Sequence, residues 1–408
     1  MWDIRTITEA DADLYRDRIS RGFGRDGDSD EASRERFAAI FEHDRTLAAF
    51  DEGDIVGTCA ALSLDVTTPG GGEVPMGGTT IVTVQPTHRR RGILRALMER
   101  HLDEIADRGE PLAGLWASEG SIYGRFGYAP ATFRYRAELD AGSLELTGDR
   151  PEGVVTLTEA SHAEKTVREL YEKARPARAG MLSRSDNWWS HRLLADPESW
   201  RGGKTALRYA LIREQGEPTG YATFRQNSVW DDFVSRGEVH VTEMITTTPG
   251  ARRGLWEFLT NIDLFPVVEW WNMPVDDPLA AGVTSSRVVR RTLSDALWLR
   301  VMDVVAALEA RSYEVDGDVS FEVYDESRPD VAGAYRLVVT GGRAECRRIE
   351  RGDADIAFDI DVLGHLYLGG GNALVMADAG RITGDRSAVT RLHRVFRSDV
   401  APWCPEVF

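Results

Sequence analysis

The sequence predicts a mixed α/β fold (α+β) with more than one domain, and three observations lead to this prediction. A β-branched segment at residues 80–85 is followed by a glycine-bearing turn and then by apolar residues at helical spacing. A similar order of strands and helices recurs after residue 150. The 408 residues also exceed what one hydrophobic core usually serves.

Alternation and turn chemistry assign the elements of the first 150 residues. Residues 67–78 are rich in glycine and are expected to form a flexible loop. The last strand of this part is expected to close its sheet just before a domain boundary. Strands are predicted at 2–8, 46–50, 55–64, 80–85, 112–117 and 132–139, and helices at 9–19, 30–43 and from 93 onward.

The turn that follows the strand at 80–85 is a candidate anion-binding site. The first N–H groups of a helix have no internal partner, and the helix dipole favours negative charge there. Gly92 lets a ligand approach the backbone closely, while Arg89, Arg90, Arg91 and Arg95 supply permanent positive charge. A pyrophosphate suits this combination, although an ordinary solvated basic turn has the same composition.

Two motifs in this region resemble those of a known superfamily. Arg89-x-x-Gly92 after a Val-x-Val strand resembles the acyl-CoA pyrophosphate loop of the GNAT acetyltransferases, with Leu94 where Gly or Ala is usual. The segment from Tyr123 to Gly127, with a further tyrosine after it, resembles the Tyr-x-x-x-Gly-Phe/Tyr signature of the same superfamily. Together the two segments are similar to the Eis (enhanced intracellular survival) family of bacterial acetyltransferases.

This resemblance implies tandem GNAT folds followed by a sterol-carrier-protein-like α+β domain. A catalytic, acetyl-CoA-binding GNAT domain would occupy residues 1–150 and a second, degenerate GNAT domain residues 151–295. The sterol-carrier-like domain would occupy 296–408, with its C-terminal tail inserted in the active site. The turn of the second domain that corresponds to the pyrophosphate loop lies at residues 248–254. Ala251 stands where this loop needs an arginine, and Trp256 stands where it needs a small residue, so the second domain is expected to be degenerate.

The remaining elements follow from the same patterns. Trp270 and Trp271 are expected in a core or a pocket wall. Strands are predicted at 154–157, 206–213, 221–225, 239–246, 321–323, 334–340 and 356–360, and helices at 163–174, 186–194, 255–262, 302–310, 362–368, 374–378 and 387–396.

The resemblance also implies acetyl-CoA as co-substrate and no metal. The residues expected to bind it fall into three groups along the chain. Val82, Thr83 and Val84 would bind the pantetheine arm, Arg90, Arg91, Gly92, Ile93, Leu94 and Arg95 the pyrophosphate, and Ser118 and Glu119 would complete the site.

Tyr123 is expected to be the general acid. A phenol has a pKa of about 10, so it is protonated at working pH and can donate to a departing thiolate. No His or Glu stands beside this tyrosine, and the family uses the C-terminal carboxylate as its base, which corresponds to Phe408 here. This role requires the apolar tail to fold back into the first domain, whereas many chain ends fray.

The acceptor contacts are expected from acidic residues in two places. Asp26, with Asp28 and Asp30, lies in an early glycine-bearing loop that could attract an amine, or could simply be solvated. The family tail carries an acidic residue next to its last phenylalanine. Here that neighbour is Val407, and Glu406 stands one residue further back.

Composition restricts the partners. The net charge of −17 argues against nonspecific binding of nucleic acid or anionic membranes and suits a cationic substrate. The three scattered cysteines predict neither a disulfide framework nor a metal site. A charged start without an apolar signal core, and no run long enough to span a bilayer, predict a cytoplasmic protein. The resemblance adds a homohexamer.

The function expected from these features is acetyl-CoA-dependent N-acetylation of polycationic small molecules such as aminoglycosides. One alternative is an N-acyltransferase that modifies protein or peptide lysines, or that transfers longer acyl chains. Another, from a different class, is a non-catalytic lipid or acyl-CoA-binding protein built on the sterol-carrier-like end.

Overall fold

The computed structural model describes residues 2–26, 31–148 and 152–408. The strands in this part of the chain are β1 Asp3–Thr6, β2 Thr46–Asp51, β3 Asp54–Thr67, β4 Glu73–Val84, β5 Leu112–Trp116, β6 Ala129–Pro130, β7 Phe133–Asp140, β8 Val154–Thr158, β9 Arg208–Glu214, β10 Glu217–Asn227, β11 Trp230–Asp231, β12 Val234–Ser235, β13 Glu238–Thr246, β14 Val267–Pro274, β15 Val289–Asp295, β16 Leu297–Val301, β17 Gly317–Tyr324, β18 Gly333–Thr340, β19 Arg343–Ile349, β20 Ile356–Asp359 and β21 Ile382–Gly384.

The α-helices of the described residues are α1 Ala12–Gly22, α2 Glu31–Ile40, α3 Ile93–Asp107, α4 Gly120–Tyr123, α5 Ala160–Ala174, α6 Asp186–Trp188, α7 Pro249–Thr260, α8 Val304–Glu309, α9 Ile360–Leu366, α10 Ala373–Asp378 and α11 Arg386–Phe396. None of these helices combines the length and the apolar character that crossing a bilayer requires.

The chain folds into two compact units, and each draws on separated segments. The first unit takes its described residues from 1–132, 179–192 and 296–408, and the second from 133–178 and 193–295. The first unit contains a seven-stranded sheet, β1-β2-β3-β4-β5-β16-β6, and a five-stranded sheet, β19-β18-β17-β20-β21. The second unit contains one seven-stranded sheet, β15-β7-β14-β13-β10-β9-β8.

The predicted closing strand of the first sheet lies in the other unit, so this expectation is wrong. β7, at Phe133–Asp140, pairs with β14 and β15. β16, at Leu297–Val301, takes the position next to β5 instead and pairs with β5 and with the short edge strand β6. Alternation predicts that a segment is extended, but the partner of a strand depends on contacts distant in sequence.

The expected loop at residues 67–78 is largely a hairpin. β3 runs through Thr67 and β4 begins at Glu73, with a short turn between them in which Thr68 N–H donates to Gly72 O at 2.8 Å. Val74 and Met76 are buried on β4. Their burial stabilises the strand despite the glycines around them, which have low strand propensity.

The sterol-carrier-like part buries its helices against its sheet, as the resemblance implies. Leu363 and Leu366 of α9 and Leu392 of α11 are fully buried in one core with Phe321 and Leu337 of the sheet. Together with their neighbours they form a continuous apolar interior on this side of the sheet. This core also contains Met76 and Leu299 of the first sheet, so the two sheets of the first unit share it.

One buried arginine connects this part to the first sheet. Arg300 of β16 has a fully buried side chain, which donates to Asp325 Oδ2 at 2.6 Å and to the carbonyl of Phe126 at 2.6 Å. Its guanidinium occupies the place where a side chain at Gly127 would project, and Gly127 has a φ of +77°. Both facts require glycine at this position of the tyrosine motif.

A second buried polar group lies under the first sheet. His101 of α3 is 1% exposed, and its Nε2 lies 2.7 Å from Thr79 Oγ1, which lies 2.9 Å from Tyr128 Oη. Burial, with a contribution from Arg45, lowers the pKa of His101 to about 3. The folded protein therefore holds this imidazole neutral.

The neutral imidazole makes the stability of the fold pH-dependent. Because the folded pKa of His101 lies below the unfolded value of 6.5, its contribution is fully present above that pH and is lost as pH falls toward 3. We expect the free energy of unfolding to decrease by about 1.4 kcal/mol more per pH unit in the wild type than in His101→Gln in this window. Urea unfolding of both proteins at about pH 7 and about pH 5 measures this difference in the free energy of unfolding. If the free energy decreases equally in both proteins, His101 is not held neutral by the fold.

Candidate active site

The site begins where two neighbouring strands separate. β4 and β5 are paired in parallel only over Met76–Leu112, Gly77–Ala113 and Gly78–Gly114. Beyond this point β4 continues to Val84 and carries a bulge at which Ile81 has a φ of +48°. A positive φ is strained for a β-branched residue, and bulges of this kind re-aim the backbone. The edge of β4 that faces β5 is thus left without a strand partner after Gly78.

A cleft of about 950 Å³ opens along this edge. It extends from the end of β4 over the start of α3 to the short helix α4 and the turn after it. Its lining consists of Gly22, Phe23, Val82, Thr83, Val84, His88, Arg89, Arg90, Gly92, Ile93, Leu94, Arg95, Ser118, Glu119, Ser121, Ile122, Tyr123, Arg125 and Phe126.

One end of the cleft has the features of an anion site. Gly92 is the N-cap of α3 with a φ of +84°, and Arg90 before it has a φ of +63°. A 15-residue helix thus begins in the wall of the cleft, where the first N–H groups of a helix have no internal partner. Arg89, Arg90 and Arg95 line the same end. A diphosphate fits this combination of dipole, backbone donors and fixed charge.

The structure brings together most of the residues predicted for acetyl-CoA. Of that set, only Arg91 lies outside the lining of the cleft in the described chain; its side chain is exposed. Sequence reasoning did not single out Arg125, whose Nε donates to Ile122 O at 3.0 Å. The signal was available, because this arginine stands inside the tyrosine motif. Gly22 and Phe23, at the end of α1, begin the early glycine-bearing stretch in which acceptor contacts were expected, but they were not predicted individually.

Tyr123 lies on the wall of the cleft at the end of α4. It is 6% exposed, and its ring meets that of Tyr128 edge-on at 6.3 Å between centroids. Burial raises the pKa of Tyr123 to about 12, against the opposing effect of a hydrogen bond with the Ser118 side chain. The phenol therefore stays protonated over the whole physiological range and can act only as a proton donor there.

The tail folds back onto the first unit. Trp403 N–H donates to Ala179 O at 2.9 Å. A Cβ added to Gly78 would lie 3.2 Å from Cε2 of the Phe408 ring, so this ring rests on β4 at the point where β4 and β5 separate. The ring also packs, partly buried, against the core that contains Met76. Phe408 therefore lies against β4 near the start of the cleft, while none of the lining residues found in the described chain belongs to the tail.

Glu406 does not have the environment expected of an acceptor contact. Its carboxylate is 2% exposed, forms an ion pair with Arg184 and accepts a 2.9 Å hydrogen bond from Trp188 Nε1. A carboxylate held in this way lacks the open approach that a diffusing amine needs. Asp26 is exposed at the end of the described segment after α1, while Asp28 and Asp30 lie outside the described residues.

The corresponding turn of the second unit differs from the first. The helix predicted at 255–262 already begins at Pro249, with Thr248 as N-cap, because proline at the first helical position and a capping threonine favour an early start. The Glu214 carboxylate accepts from Thr248 Oγ1 at 2.5 Å and occupies the space beside Gly250. The start of α7 therefore has a protein carboxylate beside it, whereas the start of α3 in the first unit lines the cleft.

Trp256 of the second unit is fully buried and donates from Nε1 to Asp277 at 3.3 Å. Trp270 is also fully buried, whereas Trp271 is half-buried, in agreement with a core or wall position. Among the described residues of the chain, no group of three or more His, Cys, Asp or Glu side chains is placed to hold a metal ion.

Family models match along the chain. An acetyltransferase (GNAT) domain matches residues 3–131, a second GNAT domain residues 180–301, and a sterol carrier protein domain residues 304–405. An N-acetyltransferase of Streptomyces avermitilis is 37% identical over 409 residues, which is 100% of this chain and 99% of that protein. The N-acetyltransferase Eis of Mycobacterium tuberculosis is 37% identical over 357 residues, which cover 85% of this chain and 84% of Eis.

This chain belongs to the Eis family of GNAT N-acetyltransferases. Among solved structures, Eis1 from Mycobacterium abscessus superimposes with a TM-score of 0.84 at 30% identity over the whole of both chains. A GCN5-related N-acetyltransferase from Anabaena variabilis, at 22% identity, has a TM-score of 0.86 and shares the fold. The Eis-family fold, two GNAT domains and then a sterol-carrier-like domain, confirms the predicted fold class, and GNAT domains imply the use of acetyl-CoA.

The contrast between two neighbouring arginines tests the cofactor cleft of this Eis-family enzyme. Arg90→Ala removes a charge that lines the cleft, so we expect acetyl-CoA to bind roughly tenfold more weakly, with a larger loss at low salt. Arg91→Ala removes an equal charge outside the lining and serves as the matched control. Isothermal titration of both variants measures the effect. Equal losses would mean that only the overall charge of the turn matters.

Proposed function

We propose that this enzyme transfers the acetyl group of acetyl-CoA to an amine of a polycationic small molecule, such as an aminoglycoside. In this proposal Tyr123 is the general acid and the carboxylate of Phe408 is the general base. The observation that carries it is that the last residue rests on β4 where the cleft strands diverge, in the same unit as the protonated Tyr123.

The chemistry needs four changes that these residues can serve. The amine nitrogen forms a bond to the thioester carbonyl carbon, and the carbon–sulfur bond breaks. The proton lost by the amine passes to the Phe408 carboxylate, and the Tyr123 hydroxyl gives its proton to the departing thiolate. Backbone N–H groups of β4 beyond Gly78 are available to stabilise the negative charge that develops on the carbonyl oxygen.

The fit of acetyl-CoA rests on the unpaired edge of β4 and on the start of α3. Extended backbone at Val82–Val84 can pair with the amides of a pantetheine arm, as a further strand would. The helix start and Arg89, Arg90 and Arg95 would hold the diphosphate. Ser118 and Glu119 line the opposite wall.

A cationic acceptor is supported by a second cleft near the tail. This cleft, of about 430 Å³, is lined by the carboxylate-bearing residues Glu42 and Asp65, by Trp188 and Leu64, and also by Arg184. The two carboxylates already accept hydrogen bonds from Ser63 and Ser183. Its lining residue Leu64 lies over Gly78, where the Phe408 ring also rests, so one wall of the second cleft is close to the last residue. Carboxylates and an indole are suitable neighbours for an ammonium group that is not the one being acetylated.

The other roles proposed for the chain rest on the family. We assign the single cofactor site to the first GNAT fold, a supporting role to the second and a scaffolding role to the sterol-carrier-like part, in a cytoplasmic homohexamer. The alternative of transfer to protein lysines or from longer acyl-CoA uses the same acid and base. A non-catalytic lipid-binding role leaves the arginine-lined cleft and Tyr123 without a purpose.

A thiol-release assay with acetyl-CoA distinguishes these functions. The acceptor panel contains kanamycin-like aminoglycosides, linear polyamines, lysine peptides and a neutral monoamine. We expect turnover with the polycationic small molecules to exceed that with lysine peptides, and acetyl-CoA to be preferred over longer acyl-CoA. Faster turnover of peptides or of long acyl chains would favour the acyltransferase alternative, and binding without thiol release the non-catalytic one.

Removal of one hydroxyl tests the acid. Tyr123→Phe keeps the ring and its packing on Tyr128 but cannot protonate the thiolate, so we expect kcat to fall roughly 100-fold or more. Acetyl-CoA affinity should stay near that of the wild type, as titration would show. Tyr128→Phe is the matched control for loss of a buried hydroxyl. A Tyr123→Phe enzyme with normal kcat would remove this residue from the mechanism.

A further inference from the structure

We propose that the buried ion pair between Arg184 and Glu406 positions the last residue for proton removal, so that Arg184 is a positioning residue of the reaction. The inference rests on the proposed role of Phe408 as base. It concerns a contact that the sequence does not reveal, because the two partners lie 222 positions apart.

The pair is enclosed and tightly bonded. The Arg184 side chain has no exposed surface and the Glu406 side chain is 2% exposed. Arg184 Nε donates to one oxygen of Glu406, and Trp188 Nε1 donates to the other at 2.9 Å. The Arg184 guanidinium also lies 4.6 Å from the centroid of the Trp189 ring. Both oxygens of the carboxylate are therefore held in fixed directions.

Two further hydrogen bonds fix the tail to the same segment, residues 179–192. Arg192 Nη2 donates to the carbonyl of Val407 at 3.0 Å. Trp403 N–H donates to Ala179 O, and a Cβ at Gly180, which has a φ of +92°, would approach Trp403 O to 3.0 Å. The segment thus contacts the tail from Trp403 to Val407, and the bond to Val407 is the last one before Phe408.

Chain geometry links this anchoring to the base. Each residue spans at most about 3.6 Å, so a fixed Glu406 keeps Phe408 within roughly 7 Å of one place. Apolar packing of the Phe408 ring alone is non-directional and would allow the tail to shift along β4. A charged pair in a dry environment has a single favourable geometry, because any shift leaves a buried charge without its partner. The pair therefore determines the register of the tail.

The test separates positioning from stability by kinetics. Glu406→Gln keeps the shape and the hydrogen-bond acceptor but removes the charge. We expect kcat to fall roughly 10- to 100-fold, since small displacements of a reacting group cost this much. The KM for acetyl-CoA should change by less than about twofold, because the cofactor cleft contains no part of the tail. Arg184→Lys, which keeps the charge but loses the planar fork, should give an intermediate kcat.

The matched control breaks another buried pair. Arg252 and Asp277 form a buried ion pair in the second unit, and Asp277→Asn should lower the thermal unfolding temperature without changing kcat. If Asp277→Asn lowers kcat as much as Glu406→Gln does, the effect is general destabilisation and the proposal is overturned. If Glu406→Gln does not fold, the kcat of Arg184→Lys tests the positioning role instead. A normal kcat for Arg184→Lys would then overturn the proposal.

Deletion of Phe408 distinguishes this inference from the function on which it rests. An inactive deletion variant together with a normal Glu406→Gln enzyme would overturn the positioning role and leave Phe408 as the base. An active deletion variant would remove Phe408 from the mechanism, and the positioning role with it. An inactive deletion variant and a selective loss of kcat in Glu406→Gln would support both.

Discussion

The unpaired edge of β4 is the constraint on which the rest of the site depends. After Gly78 the strand loses β5 as a neighbour, so a row of backbone N–H and C=O groups faces a cleft instead of a ladder. Such groups are costly to bury without partners. A substrate with amides of its own can satisfy them, whereas a purely apolar ligand cannot. The fold thus selects a class of ligand through its main chain before any side chain contributes.

Several elements form the walls of the cleft along this edge. The helix start and the arginines serve the anionic end, and the turn that carries Tyr123 forms one wall. That turn is itself held by Arg300, which comes from the strand that closes the sheet and pairs with Asp325. The sterol-carrier-like part therefore contributes to the geometry of the tyrosine turn without contacting the cleft through any residue of its lining.

Local patterns predicted most elements of the fold, and the resemblance to the Eis family predicted most of the cleft. The helix start at Gly92 follows from local physics, whereas Tyr123 was identified through a family motif. The sheets to which β7 and β16 belong were not predictable. Each segment has the sequence pattern of a strand, and contacts distant in sequence determine which sheet it joins. The environment of Glu406 was not predictable either, since its partner Arg184 lies 222 positions away, just before the helix predicted at 186–194.

The carboxylate of Glu214 at the start of α7 has a consequence for what this helix start can bind. It supplies from within the protein the negative charge that a helix start attracts. An external anion would have to displace this internal one. Opening a larger site there would also require changes at Trp256 and Trp270, which are fully buried beside each other.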